Sequence, residues 1–133
     1  MKITEKIKSL NLPFGEYVII GSGILDVLNI RPAVDIDIAV LPDLYKKLKE
    51  IGEWKEREKH GKYCLEKETF EIATGASWGD YKPAMEELIA SATIIEDIPF
   101  MNLDELIKFK IALGREKDFK DIELIKNYKS KSK

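Results

Sequence analysis

Apolar and polar positions alternate along this chain with two different periods, and the switches between them mark its elements. Ile3, Ile7 and Leu10 recur at helical spacing, and Pro13 and Gly15 close that predicted helix over residues 2–10. An unbroken apolar run, Tyr17 to Ile20, reads as a buried strand. A short helix from about Ile24 to Leu28 follows, then a second strand over Val34 to Val40. Pro42 and Asp43 open the helix DLYKKLKEI, which Gly52 ends. KYCLEKETFEIA, residues 62–73, has the alternation of a hairpin turning at Lys67 and Glu68. A helix is expected over 83–91, and ATIIEDIPFM then reads as one late strand with Pro99 near its end. Asn102 with Glu105 three residues later predicts a capped helix start, and Gly114 its stop after Leu113. A last helix is expected over Asp118 to Tyr128, before a frayed basic tail at 129–133. Strands and helices mixed in this order predict an α/β or α+β architecture, a mixed sheet packed against helices. No linker divides the chain, so one domain is expected, with a core over about 16–101 and C-terminal helices over about 102–128.

The strand over Val34 to Val40 contains two acids. In a period-2 reading Ile36, Ile38 and Val40 face one way while Asp35 and Asp37 face the other together. Paired carboxylates repel unless a cation lies between them, and Mg2+ is the common partner of hard oxygen ligands. The plain alternative is a strand face open to water. A third acid bears on the choice: in TFEIAT, Glu71 alternates with Phe70 and Ile72 and emerges opposite the apolar face. If that strand neighbours the first, three carboxylates converge and suffice for two Mg2+ ions. Glu66 and Glu68 are rival third ligands, Glu68 placed in the turn and Glu66 with weaker flanking alternation.

The loop before these acids, Gly21-Ser22-Gly23, invites three readings: a dinucleotide loop, a triphosphate loop or a plain turn. A dinucleotide fingerprint needs a third glycine where Asp26 stands, and no Gly-Lys-Ser/Thr follows for a Walker loop. Composition narrows the remainder. The chain has 22 basic and 24 acidic residues, so any polyanion site is local rather than a property of net charge. Its single cysteine, Cys64, excludes an intramolecular disulfide framework and fits a reducing compartment. The N-terminal stretch MKITEKIKSLNLPFGE has no apolar signal-peptide core, and no run spans a membrane, so no membrane association and a cytoplasmic location are expected.

Gly21-Ser22 after a strand, a short helix, and Asp35-Ile36-Asp37 in the next strand together resemble the nucleotidyltransferase superfamily in its minimal, polymerase-beta-like form. Arg31, four residues before Asp35, and the C-terminal stretch LIKFKIALGREKDFKDIELI are similar to elements of AbiEii-type toxins and related small bacterial and archaeal members. Ala33 stands where such relatives often carry Ser or Thr. The resemblance spans about residues 16 to 128. It implies the nucleotidyltransferase fold and Mg2+-dependent transfer of a nucleoside monophosphate from an NTP to an acceptor hydroxyl on tRNA, protein or a small molecule, with pyrophosphate released. Gly21, Ser22 and Arg31 would then bind the nucleotide, and Asp35, Asp37 and Glu71 would be the catalytic, metal-holding acids. Lys110 would reach the triphosphate, with Arg115, Lys117, Asp118 and Asp121 forming the wall around it. A partner chain or homodimer would supply acceptor binding. A catalytically silent nucleotide-binding or toxin-antitoxin module of the same fold is the alternative. Without the resemblance, Arg115 and Lys117 are ordinary loop charges and Asp118 an N-cap. His60 is expected in an exposed turn, Trp54 and Trp78 in the core or at its rim, and the tail lysines 126, 129, 131 and 133 serve solubility or touch RNA.

Overall fold

The computed structural model describes residues 2–131, and within them six helices accompany one seven-stranded mixed sheet. The order along the chain is α1 (Ile3–Lys8), β1 (Tyr17–Ile20), α2 (Gly23–Val27), β2 (Ile36–Val40), α3 (Pro42–Ile51), β3 (Lys55–Lys59), β4 (Lys62–Lys67), β5 (Phe70–Ala73), α4 (Met85–Ala90), β6 (Thr93–Ile95), β7 (Ile98–Phe100), α5 (Leu103–Leu113) and α6 (Glu116–Lys131). Across the sheet the strands run β3-β4-β5-β2-β1-β7-β6. Only β2 with β5 and β1 with β7 are parallel. All four residues of β1 are buried, as the unbroken apolar run requires of a central strand.

Register assigns the two faces. Ile38 pairs with Ile19 and Ile72, and Leu65 with Ile72, so these side chains form one apolar face. Helix α2 lies against β1 on this side, and α3 follows it, since Tyr45 donates to Glu56 at 2.8 Å and Glu56 is the register partner of Leu65. Trp54 is buried beside Phe70. The other face carries Asp37, Glu71 and Glu66 on adjacent strands, each the register partner of the next.

Several elements depart from the sequence expectation. Strand β2 starts at Ile36 rather than Val34, because Ile36 N–H is the first to bond across, to the Thr69 carbonyl, and Val34 is exposed. Asp35 therefore precedes the strand. The KEREK segment, whose run of charges predicts no element, is edge strand β3; its charges suit an edge open to water. The late strand is instead the hairpin β6–β7, turned by Glu96 and Asp97, both at positive φ. Helix α6 begins at Glu116, and Asp118 is not its N-cap: it lies inside the first turn and accepts from the Arg115 N–H. The expected tail is helical as far as Lys131, with Lys129 paired to Asp104. Ser132 and Lys133 lie outside the described residues. The Asn102 cap forms as expected, accepting from Glu105 N–H at 2.8 Å, and Gly114 ends α5 in the left-handed conformation. No described helix is long and apolar enough to cross a membrane.

Gly23 shows how tightly α2 is seated. A Cβ there would lie 2.6 Å from Ile19 Cγ2, in a buried contact that cannot open without moving β1. Gly23→Ala is therefore expected to cost about 1–3 kcal/mol of stability, measured by urea unfolding. Gly75→Ala, whose Cβ would meet nothing within 4 Å, is the matched control. Equal midpoints for the two variants would show that the helix is not seated on this contact.

Candidate functional site

The two-residue link between β1 and α2 begins the site. Gly21 takes φ +67, and a Cβ on it would come within 3.2 Å of Asp37 Oδ2. Both the conformation and the closeness of the carboxylate demand glycine. Ser22 follows, and its Oγ accepts from Arg31 Nη2 at 2.8 Å and from Lys110 Nζ at 3.4 Å. With the oxygen accepting from two cations, the hydroxyl hydrogen is left to donate elsewhere. Helix α2 has only five residues, so its dipole contributes little at Ser22.

Arg31 is placed by the end of that short helix. Asn29 adopts φ 58, and Ile30 N–H reaches back to the Leu25 carbonyl at 2.8 Å, the bonding of a Schellman cap. Asp26, the acid that spoils the dinucleotide fingerprint, accepts from Ala33 N–H at 2.9 Å and so fixes the following loop. From this loop Arg31 grips Asp121 of α6 with two bonds of 2.6 Å, Nε to Oδ1 and Nη2 to Oδ2.

Asp121 is shared. Lys110 of α5 lies 2.8 Å from its Oδ2 and 3.5 Å from Asp118 Oδ1, while Arg115 holds Asp118 at 2.6 and 3.1 Å. Lys110, Asp118 and Asp121 are 4%, 0% and 5% exposed. Burial opposes ionisation of both aspartates, yet bonds from Arg115 to Asp118, and from Arg31 and Lys110 to Asp121, hold their carboxyls below the ordinary value. Two carboxylates thus organise three cations into one wall. Lys117 is exposed and borders the same space. Lys108, by contrast, turns outward to Glu105.

Opposite the wall stand the acids. Asp37 and Glu71 are register partners in the parallel β2–β5 pair, and Asp35 lies just outside the sheet. Burial, then the neighbouring charges of Glu71 and Asp35, push the Asp37 carboxyl up to about 6. Glu71 does not lean solely toward the aspartates. Its Oε1 takes a 2.7 Å bond from Lys59, which also holds Glu66 Oε2 at 3.0 Å, and Cys64 Sγ lies 3.5 Å away. Among the described residues the set of metal-ligand atoms drawn within 4.8 Å of one another is therefore Cys64, Glu66 and Glu71. The expected trio of Asp35, Asp37 and Glu71 is not gathered that closely: Asp37 and Glu71 are within hydrogen-bonding reach of each other, while Asp35 precedes the strand.

These groups share one cleft of about 680 Å³. Ser22, Arg31, Asp35, Asp37, Glu71, Lys110, Arg115 and Lys117 all line it, and Gly21 lies directly beneath Asp37. Its lining combines the acids with the cations of the wall. Beyond the acids a smaller cavity of about 190 Å³ continues toward Tyr63, Trp78 and Phe109. His60 sits in the β3–β4 turn and packs edge-on to Trp78, with ring centroids 5.1 Å apart. Sequence reasoning missed Lys59, since a strand of charges alone offers no alternation to read. Its place two residues before the turn glycine Gly61 was the available signal.

The hard oxygen donors of Asp35 and Asp37 are of the type a divalent cation of the Mg2+ class takes, and Gly21 adds no side chain beside Asp37 Oδ2. Comparison of the chain with protein-family models, with curated proteins and with solved structures gives no match.

The crowding of Asp37 has a sign that can be checked. Its folded-state carboxyl titrates at about 6 against 3.8 in the unfolded chain. Below 3.8 it is protonated in both states and costs nothing. As pH rises through 6 the charged form destabilises the fold. Asp37→Asn is therefore expected to raise stability by about 2–3 kcal/mol at pH 7.5 and to change little at pH 3.5, in urea melts with EDTA present. The same effect at both pH values would remove the electrostatic account.

Proposed function

We propose that the chain is a Mg2+-dependent nucleotidyltransferase of the minimal polymerase-beta-like fold, moving a nucleoside monophosphate from an NTP to an acceptor hydroxyl. The observation that carries this reading is the lining of the single cleft. Carboxylates without a bonded cation, an organised cationic wall and the Gly21-Ser22 loop all border it. A triphosphate bridged to acids by a metal needs both kinds of charge in one cleft. The motif resemblance of Gly21-Ser22, Asp35-Ile36-Asp37 and the C-terminal run supports the same reading.

The roles follow from the geometry. Arg31 and Arg115, fixed by Asp121 and Asp118, present guanidinium groups toward the phosphates in set orientations. Lys117 adds an exposed charge at the rim. Ser22 donates its hydroxyl hydrogen to a phosphate oxygen, because its own oxygen accepts from Arg31 and Lys110. Lys110 acts from behind Ser22: buried and bonded to Asp121, it supplies positive potential without leaving its place. Asp35 and Asp37 would hold Mg2+, with Glu71 adjoining; the bound ion would polarise the acceptor hydroxyl and offset charge on the leaving phosphates. The acceptor oxygen bonds to the α-phosphorus as the bond to the β-phosphate breaks, pyrophosphate leaves, and the hydroxyl proton passes to water. The chain thus orients and neutralises, and needs no serine or cysteine nucleophile.

The test incubates the protein with each of the four α-labelled NTPs, Mg2+ and tRNA, protein or small hydroxylated acceptors. Label transfer is expected with one NTP, abolished by EDTA and reduced at least about 100-fold in Asp37→Ala. No transfer to any acceptor, with Asp37→Ala indistinguishable from the parent, would end the enzyme reading. Mg2+-NTP binding that Asp37→Ala removes, without turnover, would assign the silent binding module instead.

A further inference from the structure

The acid face holds four carboxylates, Asp35, Asp37, Glu66 and Glu71, and strand β3 supplies two cations against them. Arg57 Nη1 bonds Glu66 Oε1 at 3.0 Å. Lys59 Nζ bonds Glu66 Oε2 at 3.0 Å and Glu71 Oε1 at 2.7 Å. Each glutamate therefore has its counter-charge from the protein itself. Among the described residues no ion pair reaches Asp35 or Asp37; Lys59 and Arg115 act on Asp37 only at longer range, and two adjacent carboxylates are left without a bonded cation. One divalent ion neutralises them.

Lys59 is also held where it is. It is the last residue of β3, in register with Lys62 across a two-residue turn in which His60 and Gly61 both take positive φ. That turn type matches the twist of the hairpin and fixes the Lys59 backbone. Register with Cys64, itself the neighbour of Glu71, aims Arg57 and hence Lys59 at the acid face. The atoms of Cys64, Glu66 and Glu71 that gather within 4.8 Å of one another do so around this side chain: its ammonium bonds both glutamates.

We propose that Lys59 stands in for a second metal ion: the acid face takes one divalent ion, on Asp35 and Asp37, and the Lys59 ammonium is the positive charge beside Glu71. This rests on the metal-dependent reading above and sharpens it, since three convergent acids alone had implied two ions. Lys59 is then a positioning residue: it holds Glu71 Oε1, so that oxygen is not offered to the ion. An ammonium is no Lewis acid, so the single ion on Asp35 and Asp37 would supply the polarisation for both hydroxyl and phosphates.

Mn2+, read by EPR, is the probe, with the whole folded chain and no nucleotide. The parent is expected to bind one ion and to show the spectrum of an isolated Mn2+. Asp37→Asn is expected to weaken that ion by at least about tenfold. Lys59→Met frees Glu71 Oε1 and Glu66 Oε2, with Glu66 Oε1 still held by Arg57, and is expected to bind a second ion between the two freed oxygens, with the spectrum of a coupled pair. Lys59→Arg, which keeps the charge, is expected to remain at one. Lys59 is on an exposed edge strand, and urea melts of each variant confirm folding. Two ions in the parent, or one ion in Lys59→Met, would overturn the role of Lys59 and leave the metal-dependent reading intact. No bound Mn2+ in the parent at any concentration reached would overturn both.

Discussion

Parallel pairing of β2 with β5 sets Asp37 directly opposite Glu71 on a half-buried face, and much else in the molecule is shaped around that contact. Register cannot slip by one residue to relieve it, because the slip would turn Ile36, Ile38 and Val40 out of the core. The repulsion is therefore kept and managed locally. Gly21 gives Asp37 room on one side. On the other, the edge hairpin brings Lys59 and Arg57 over the glutamates. A strand that looks like five solvated charges is thus the counter-charge of the sheet's centre.

The opposite wall solves a different problem. Arg31 and Asp121 are ninety residues apart in the chain, yet they meet in a bidentate pair that joins the loop after α2 to α6. Lys110 lies between Asp121 and Asp118 and ties α5 into the same network. Buried ion pairs of this kind add little net stability over apolar packing, since desolvation offsets most of the attraction. What they confer is orientation. Each guanidinium is already committed to a carboxylate, so its remaining donors point in fixed directions.

Much of this was legible in the sequence where the physics is local. Tyr17 to Ile20 reads as a buried strand because nothing polar interrupts it, and Asn102 and Gly114 mark α5 because capping depends on single residues. The faces of Asp37 and Glu71 followed from period-2 alternation, and their adjacency from one assumed neighbour. What failed lacked a local signal. Strand β3 has no apolar alternation, and its place is fixed by pairing with β4. The β6–β7 turn uses Glu96 and Asp97 at positive φ, where glycine or asparagine would have announced a hairpin. That Lys110 faces inward was not readable from helical spacing. Its direction is decided by Asp118 and Asp121 on another helix, a tertiary fact.

On the proposed reading, the buried position of Lys110 also bears on how the cleft would attract an anion. To reach a ligand directly, its ammonium would have to leave Asp121 and uncover a carboxylate that is 5% exposed. Breaking such a pair costs more than one surface-type contact returns. The charge is better used in place, passed outward through the Ser22 hydroxyl that it and Arg31 jointly hold. Direct contact then falls to Arg31, Arg115 and Lys117, at the open edge of the wall. On the proposed reading this divides the work. The buried lysine sets a potential that does not depend on side-chain motion, and the outer cations supply the bonds that form and break with each ligand.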